Sequence, residues 1–555
     1  MMPTAAVIEV PDSTDATIGL LRGLRHGHVR KQAASVAYWL YLAGLTVLVY
    51  GGWLVAAIVR AIRRPQPPAA DTAAVLRAVP AGLCALALLV IVVLLWEAGW
   101  RGPVTVSQPT ADWLLDTPVR RARLLRPRYR VSILTRLLAG AATGLVPAAV
   151  LMSAGLGRGG TGRSLRLAGA TMLGTALLAA LGTGMAALAE ARPGWRSWRA
   201  AKLIAGGAAA GAAVVAALAA VASLPSLVGS VLLWSGPWGW AAQAPVALSG
   251  GSAPLWPVAL GLLALTSAVA VAAGDRAAAA VSASALRARA RTIGSMSAAV
   301  ANLDARRVTA AYRAMAGGYS RVRFMLGPPL RKELVIPWRD VVAFARAPSR
   351  LAWAAAVSLA AAGLGALATQ APRSGLLPLA GALSLGYLAA AGFCEGARLD
   401  ADDPRRSSQL PFRYDRLVWW HAIVPCLLLA VLGGIPAAAL AAAAGKVRLV
   451  PLIAVAVLVL VSGALVNAYR GPLEAEALSY GFETPFGSTG SITVALWYIT
   501  GPLLSVGPLI WLSYHAISAS GRGAVIGPVV VSLVLAAWLG AIATRRARRL
   551  HAAGA

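Results

Sequence analysis

The sequence predicts an all-α integral membrane protein, with about twelve transmembrane helices forming two six-helix pseudo-repeats. Three observations predict it. The 555 residues are 58% hydrophobic and 13% charged, where soluble domains run at about 45–50% apolar and about 25% charged. Apolar runs long enough to cross a bilayer, about 20 residues each, recur along the chain. Basic residues gather between alternate runs, as they do when they set topology. The mean hydropathy is +0.70. A water-soluble fold of this length would need more polar surface than these side chains supply, whereas lipid solvates apolar helix faces directly.

The runs divide the chain. Residues 1–35 form a basic leader with an amphipathic pattern in Ile18, Leu21 and Leu24. Residues 36–274 hold the first six spans: Val36–Val59, Pro80–Trp100, Val131–Gly155, Leu165–Ala189, Ala201–Leu224 and Pro254–Gly274. The first run is long enough to remain as a helix rather than be cleaved as a signal peptide. Residues 275–350 form a basic linker, for which a headgroup-bound helix and a solvated one are both open. Residues 351–544 hold Leu351–Thr369, Leu376–Cys394, Val418–Ala443, Leu449–Tyr469, Ser491–Tyr514 and Ala524–Thr544. A basic tail, 545–555, closes the chain. Small residues fill many runs and allow helices to approach closely in lipid.

The net charge is +31, from 51 Lys and Arg against 20 Asp and Glu. With the N-terminus inside, 40 basic residues fall on the inner side and 11 on the outer. That asymmetry places both termini in the cytosol. The excess is read as anchoring to an anionic membrane face, not as a nucleic-acid interface. The outer segment Pro225–Ala253 carries no charge but has Trp234, Trp238 and Trp240 among Gly and Pro, a composition for an interfacial or re-entrant hairpin. Cys84, Cys394 and Cys426 lie in apolar runs, and the five histidines are scattered. Neither set has metal-ligand spacing.

An internal repeat follows the second span of each half. Glu97 and Glu395 end those spans at the inner edge. A basic loop then leads to Pro118-Val119-Arg120-Arg121-Ala122-Arg123-Leu124 in the first half and Pro411-Phe412-Arg413-Tyr414-Asp415-Arg416-Leu417 in the second. Both fit Pro-x-Arg-x-x-Arg-Leu. Thr117 suits a helix cap, and Pro118 a first turn. Ser107 suits a cap for the helix bearing Trp113 and Leu114. The glutamate-to-proline distance differs, 21 residues against 16, and only the second loop carries Asp400, Asp402 and Asp403. Ahead of the seventh span, Lys332, Glu333, Trp338, Arg339 and Asp340 lie in a segment whose Leu334, Val335, Val341, Val342 and Ala345 share a helical face with Trp338. That pattern predicts a helix in the membrane interface.

These elements resemble ABC-2-type transporter permeases, and the whole chain looks like an actinobacterial membrane family of that kind in which Gly102-Pro103-Val104 and Leu124-Leu125-Arg126-Pro127 recur. The resemblance implies coupling loops that touch a cytosolic ABC ATPase through Trp113, Leu114, Pro118, Arg120, Arg121, Pro411, Arg413 and Arg416. It implies an interfacial lead-in helix at Lys332–Asp340. Asp340 is followed by Val341 where the family pattern has proline. ATP would be bound by a partner ATPase pair, with no cofactor or metal held by this chain.

Other motifs fail on context. Gly157–Ser164 mimics a phosphate-binding loop and Leu248–Ser252 an ABC signature, but both join spans on the outer side. No acidic pair is evident in the spans, since Glu97, Glu190 and Glu395 lie at helix ends, which argues against an ion-coupled carrier. No motif for an enzyme is found. The expectation is a bacterial plasma-membrane permease exporting a hydrophobic or amphipathic compound. The alternative is a non-transporting scaffold or regulatory subunit of an envelope complex.

Overall fold

The computed structural model describes Gly19 and, apart from scattered positions, residues 69–157, 160–191, 204–219, 225–301, 327–370, 375–402, 413–471 and 483–554. The predicted first span, the leader pattern around Leu21, Asp403, Pro118 and Pro411 lie outside the described residues.

The described chain is all-α apart from one short antiparallel ladder, in which Glu483 faces Ser488 and Thr484 faces Gly487. Among the described residues, nine helices are long and apolar enough to cross a membrane. The first group comprises α1 (Ala69–Trp100), α2 (Arg121–Ser153), α3 (Thr161–Ala191), α4 (Ser226–Trp234), α5 (Pro237–Leu248), α6 (Trp256–Ala278) and α7 (Ala283–Ala301). The second comprises α8 (Val335–Arg346), α9 (Pro348–Gln370), α10 (Leu376–Phe393), α11 (Glu395–Asp402), α12 (Tyr414–Leu429), α13 (Ile435–Ala443), α14 (Val450–Ala468), α15 (Gly490–Ser518) and α16 (Gly523–Gly554). The nine candidate spans lie in α1, α2, α3, α6, α9, α10, α12 with α13, α14 and α16. Interior prolines such as Pro147 and Pro502 are tolerated because neighbouring helices satisfy the freed backbone groups.

Each group has a central helix. α3 packs on α1, α2, α5 and α6, and α14 on α10, α12, α15 and α16; α1 meets α9 between the groups. Glycine makes the first centre possible. A Cβ on Gly144 would lie 2.7 Å from Met172 Cα, and one on Gly184 would lie 2.5 Å from the Ala270 carbonyl carbon. The Thr175 hydroxyl also donates to the Gly140 carbonyl at 2.7 Å. Replacing Gly184 with Val therefore forces α3 and α6 apart. The expected cost is about 1–3 kcal/mol, read as a lower unfolding midpoint in detergent.

The uncharged tryptophan segment is a helical hairpin, α4–α5, seated on α1, α3 and α6. Gly236 turns it with φ of 153°, and the buried Gln243 amide donates to the Leu233 carbonyl at 3.0 Å. In the second group a π-helical turn, Ala430–Gly434, joins α12 to α13. It borders a cavity of about 140 Å³ whose lining includes Ser358, Gly365, Leu383, Gly433, Ile453 and Leu460. Ser358 spends its hydroxyl on the Ala354 carbonyl of its own helix at 2.8 Å, so the cavity wall is effectively apolar.

Candidate functional site

Among the described residues most ionisable side chains gather at one end of the bundle, where α2 and α12 begin and α1, α3, α6, α10 and α14 end. In the first group, α1 finishes just past Glu97, whose carboxylate takes both guanidinium nitrogens of Arg136 at 3.0 and 2.9 Å. This two-pronged pair joins the end of one span to the early part of another. The chain then turns at Gly102, with φ of 67°. A side chain there would also collide with Glu190 and Arg289. Glu190 is nearly sealed, with 4% of its side chain exposed, and meets Arg289 at 2.9 Å. Val104, Val106, Leu125, Tyr129, Leu286 and Ala290 pack beside this pair.

That packing adds to the reading of the linker. One face of its start is seated on the first group, with Leu286 and Ala290 on α7 buried, while Ser284, Ala288 and Arg291 on the other face are exposed. The Arg287 guanidinium donates to the Ala111 carbonyl at 3.2 Å. Ala111 belongs to the π-helical turn Thr110–Leu114, so α7 braces the first predicted coupling element from behind.

Trp113 stands out from this braced turn with 78% of its surface exposed, while Ala111 and Leu115 anchor the turn inside. Leu114 is half-buried. The Ser107 hydroxyl, expected to cap the turn, instead meets the Thr110 hydroxyl at 2.8 Å. The Thr117 hydroxyl donates backwards to the Leu114 carbonyl at 2.8 Å. It therefore closes the turn before it rather than capping the helix after it. α2 starts beyond the extended Arg120, without a side-chain cap. Arg120 and Arg121 are exposed.

The second group holds a buried cluster that sequence reading left in pieces. α8 presents Ile336, Asp340 and Phe344 inward, one helical turn apart. Leu334 and Val341 lie outward, 46% and 42% exposed, on the apolar face that the pattern assigned to the interface. Asp340 accepts from His421 Nδ1 at 2.9 Å. Asp400, on α11, accepts from His421 Nε2 at 3.0 Å and from Arg339 at 2.6 Å. Asp340, Asp400 and His421 are 5%, 2% and 1% exposed. Ionised carboxylates only accept, so a ring donating from both nitrogens satisfies both contacts. Burial works to raise the Asp400 carboxyl, but hydrogen bonds from His421 and Arg339 outweigh it and hold it below the ordinary aspartate value. Three separate elements, α8, α11 and α12, are thus clasped through one imidazole.

The clasp buries an acidic pair outside the candidate spans, a place that the expectation of none within the spans did not cover. The pair sits at the bundle end, on the short helices α8 and α11, with only His421 inside a span. Lys332 is exposed, and Glu333 and Trp338 are half-buried; none joins the clasp. Glu395 pairs with Arg350 at 3.5 Å and Arg398 at 3.6 Å, a partner set different from that of Glu97. Arg413 and Arg416 are exposed at the start of α12, where the Arg413 carbonyl accepts from the Leu417 amide at 3.1 Å. Among the described residues no group of His, Cys, Asp and Glu forms a metal site.

A family profile matches residues 68–481, most of the chain, including Glu97, the braced turn and the whole clasp. The chain belongs to the family of unknown function DUF6297. No curated protein and no solved structure matches it. The DUF6297 match ends before α15 and α16, so the clasp and the braced turn both lie within the family's shared stretch.

Proposed function

We propose that this DUF6297 chain is the membrane permease of an ABC-2-type ATP-driven exporter of hydrophobic or amphipathic compounds. It is built of about twelve spans in two related halves, lies in a bacterial plasma membrane with both termini cytosolic, and is energised by a separate pair of ABC ATPase subunits. The observation that carries the reading is Trp113. A large aromatic is held outward on a short turn whose back is fixed by α7 and whose end is closed by Thr117. An isolated exposed tryptophan on a rigid mount is the type of residue that anchors a protein interface. A push received there passes through Ala111 and Arg287 to α7 and through Arg289 to the end of α3. In the other half the His421 clasp links α8, α11 and the start of α12, giving a comparable path from surface to span. The apolar lining of the cavity beside α13 supports a hydrophobic rather than a charged cargo.

The test is association. The tagged full chain, purified from its host membrane in mild detergent, is expected to bring down an ABC ATPase. Trp113→Ala should weaken that association about 30-fold, the loss of one strong interface anchor. Folding should be unaffected, because the side chain is exposed. Retrieval of no ATPase, or retrieval equal to the parent's by both Trp113→Ala and a variant lacking Arg413 and Arg416, would overturn the proposal.

A further inference from the structure

The groove between α2 and α6 has features the transport reading does not use. Both helices pack on α3 and touch each other less, which leaves a furrow of about 580 Å³ on the side away from α3. Its walls are Ile133 of α2 and Ala268, Val271 and Ala272 of α6. Ala268 and Ala272 are exposed. The furrow ends in charge, with Arg126 and Arg130 on one side and Asp275 and Arg276 on the other. The Tyr129 hydroxyl donates to the Val271 carbonyl at 3.2 Å and fixes the width between them.

Helix length sets the depth of these charges. About 20 helical residues cross the hydrocarbon layer. Counted back from Met152, the end of the α2 span, they reach Ile133. Counted forward from Trp256, the start of the α6 span, they reach Asp275. Two helices running in opposite directions thus place the boundary at one level, where the apolar walls stop and the arginines begin. Asp275 meets Arg126 at 3.5 Å and Arg130 at 3.1 Å, so both guanidiniums turn toward the mouth. Arg276 is exposed. Three cations against one anion leave the mouth positive.

We infer that this furrow holds an anionic glycerophospholipid, its headgroup phosphate on Arg126, Arg130 and Arg276 and an acyl chain against Ile133, Ala268 and Ala272. A free phosphate would use the arginines but leave the apolar walls without purpose. A neutral lipid would use the walls but leave the excess positive charge uncompensated.

The experiment uses the full chain in detergent, with phosphatidylglycerol or phosphatidylcholine added in mixed micelles and bound lipid counted by native mass spectrometry. Phosphatidylglycerol is expected to bind about tenfold more tightly than phosphatidylcholine. R126Q/R130Q/R276Q should erase that preference. Ala272→Trp, on an exposed position with the arginines intact, should reduce phosphatidylglycerol binding by blocking the chain. Equal preference in the triple variant and the parent would overturn the inference. So would undiminished binding in Ala272→Trp, or full displacement of the lipid by millimolar inorganic phosphate, which would mark a free-anion site.

Discussion

His421→Ala is expected to destabilise the second group by about 3–5 kcal/mol, the cost of stripping one partner from a buried ionic set. The imidazole supplies the hydrogen bonds that Asp340 and Asp400 receive at 2.9 and 3.0 Å. Without it, Asp340 is left facing the Arg339 guanidinium at 4.0 Å, in a site that is buried. The Gly396 backbone presses against the same carboxylate, so the gap does not readily collapse. Unfolding midpoints in detergent read the effect. Adding Asp340→Asn to His421→Ala should recover part of the loss, because it removes the stranded charge. A loss below about 1 kcal/mol in the single variant, within the range of ordinary surface changes, would contradict the clasp. The pH dependence has a definite sign. Asp400 has a folded value below its unfolded one. Its contribution is therefore complete at neutral pH and is lost as pH falls through the folded value, below about pH 4. Asp400→Asn should lack that acid-side component.

Arg289→Met is expected to cost about 1–3 kcal/mol, by leaving the almost sealed Glu190 carboxyl behind α7 without its partner, where it takes up a proton rather than stay charged. Methionine fills much of the arginine stem, so the loss reports the missing charge more than a void. The consequence should be local before it is global. With the pair broken, α7 loses a polar tie to the first group and keeps the Arg287 bond to Ala111. Trypsin should then cut at Arg287 and Arg291 well before it cuts the parent protein, alongside the drop in unfolding midpoint. Glu190→Gln in the same background should restore much of the protection. An unchanged cleavage pattern and midpoint in Arg289→Met would show that apolar packing of Leu286 and Ala290 holds α7 unaided.

The spans were legible because a membrane-crossing helix is encoded locally. Nine of the twelve apolar runs fall on the nine candidate spans, each a stretch whose composition alone sets its solvent. The runs at 201–224 and 491–514 fall on the helical stretch Gly206–Ala216 and on α15. The clasp was illegible for the opposite reason. His421 lies 81 residues from Asp340 and 21 from Asp400, and no local pattern sets that pairing. A signal was present: one imidazole inside an otherwise uncharged run is costly in lipid unless it has partners. Glu190 gave less warning, since an acid at a helix end normally reaches water. Its burial comes from α7, which returns after about a hundred residues to cover it. Thr117 misled through direction. Its hydroxyl can serve the turn behind or the helix ahead, and the hydrogen bond to Leu114 decides for the former.

The π-turn at Ala430–Gly434 has a mechanical meaning. An α-helix transmits force along its axis as a stiff strut, because every carbonyl is tied to the amide four residues on. Widening the coil by one residue breaks that uniformity at a single joint. Below the joint, the strut is riveted through His421. Above it, the strut forms one wall of the apolar chamber. Torque applied at the riveted end would bend the joint and reshape the chamber instead of sliding the whole rod.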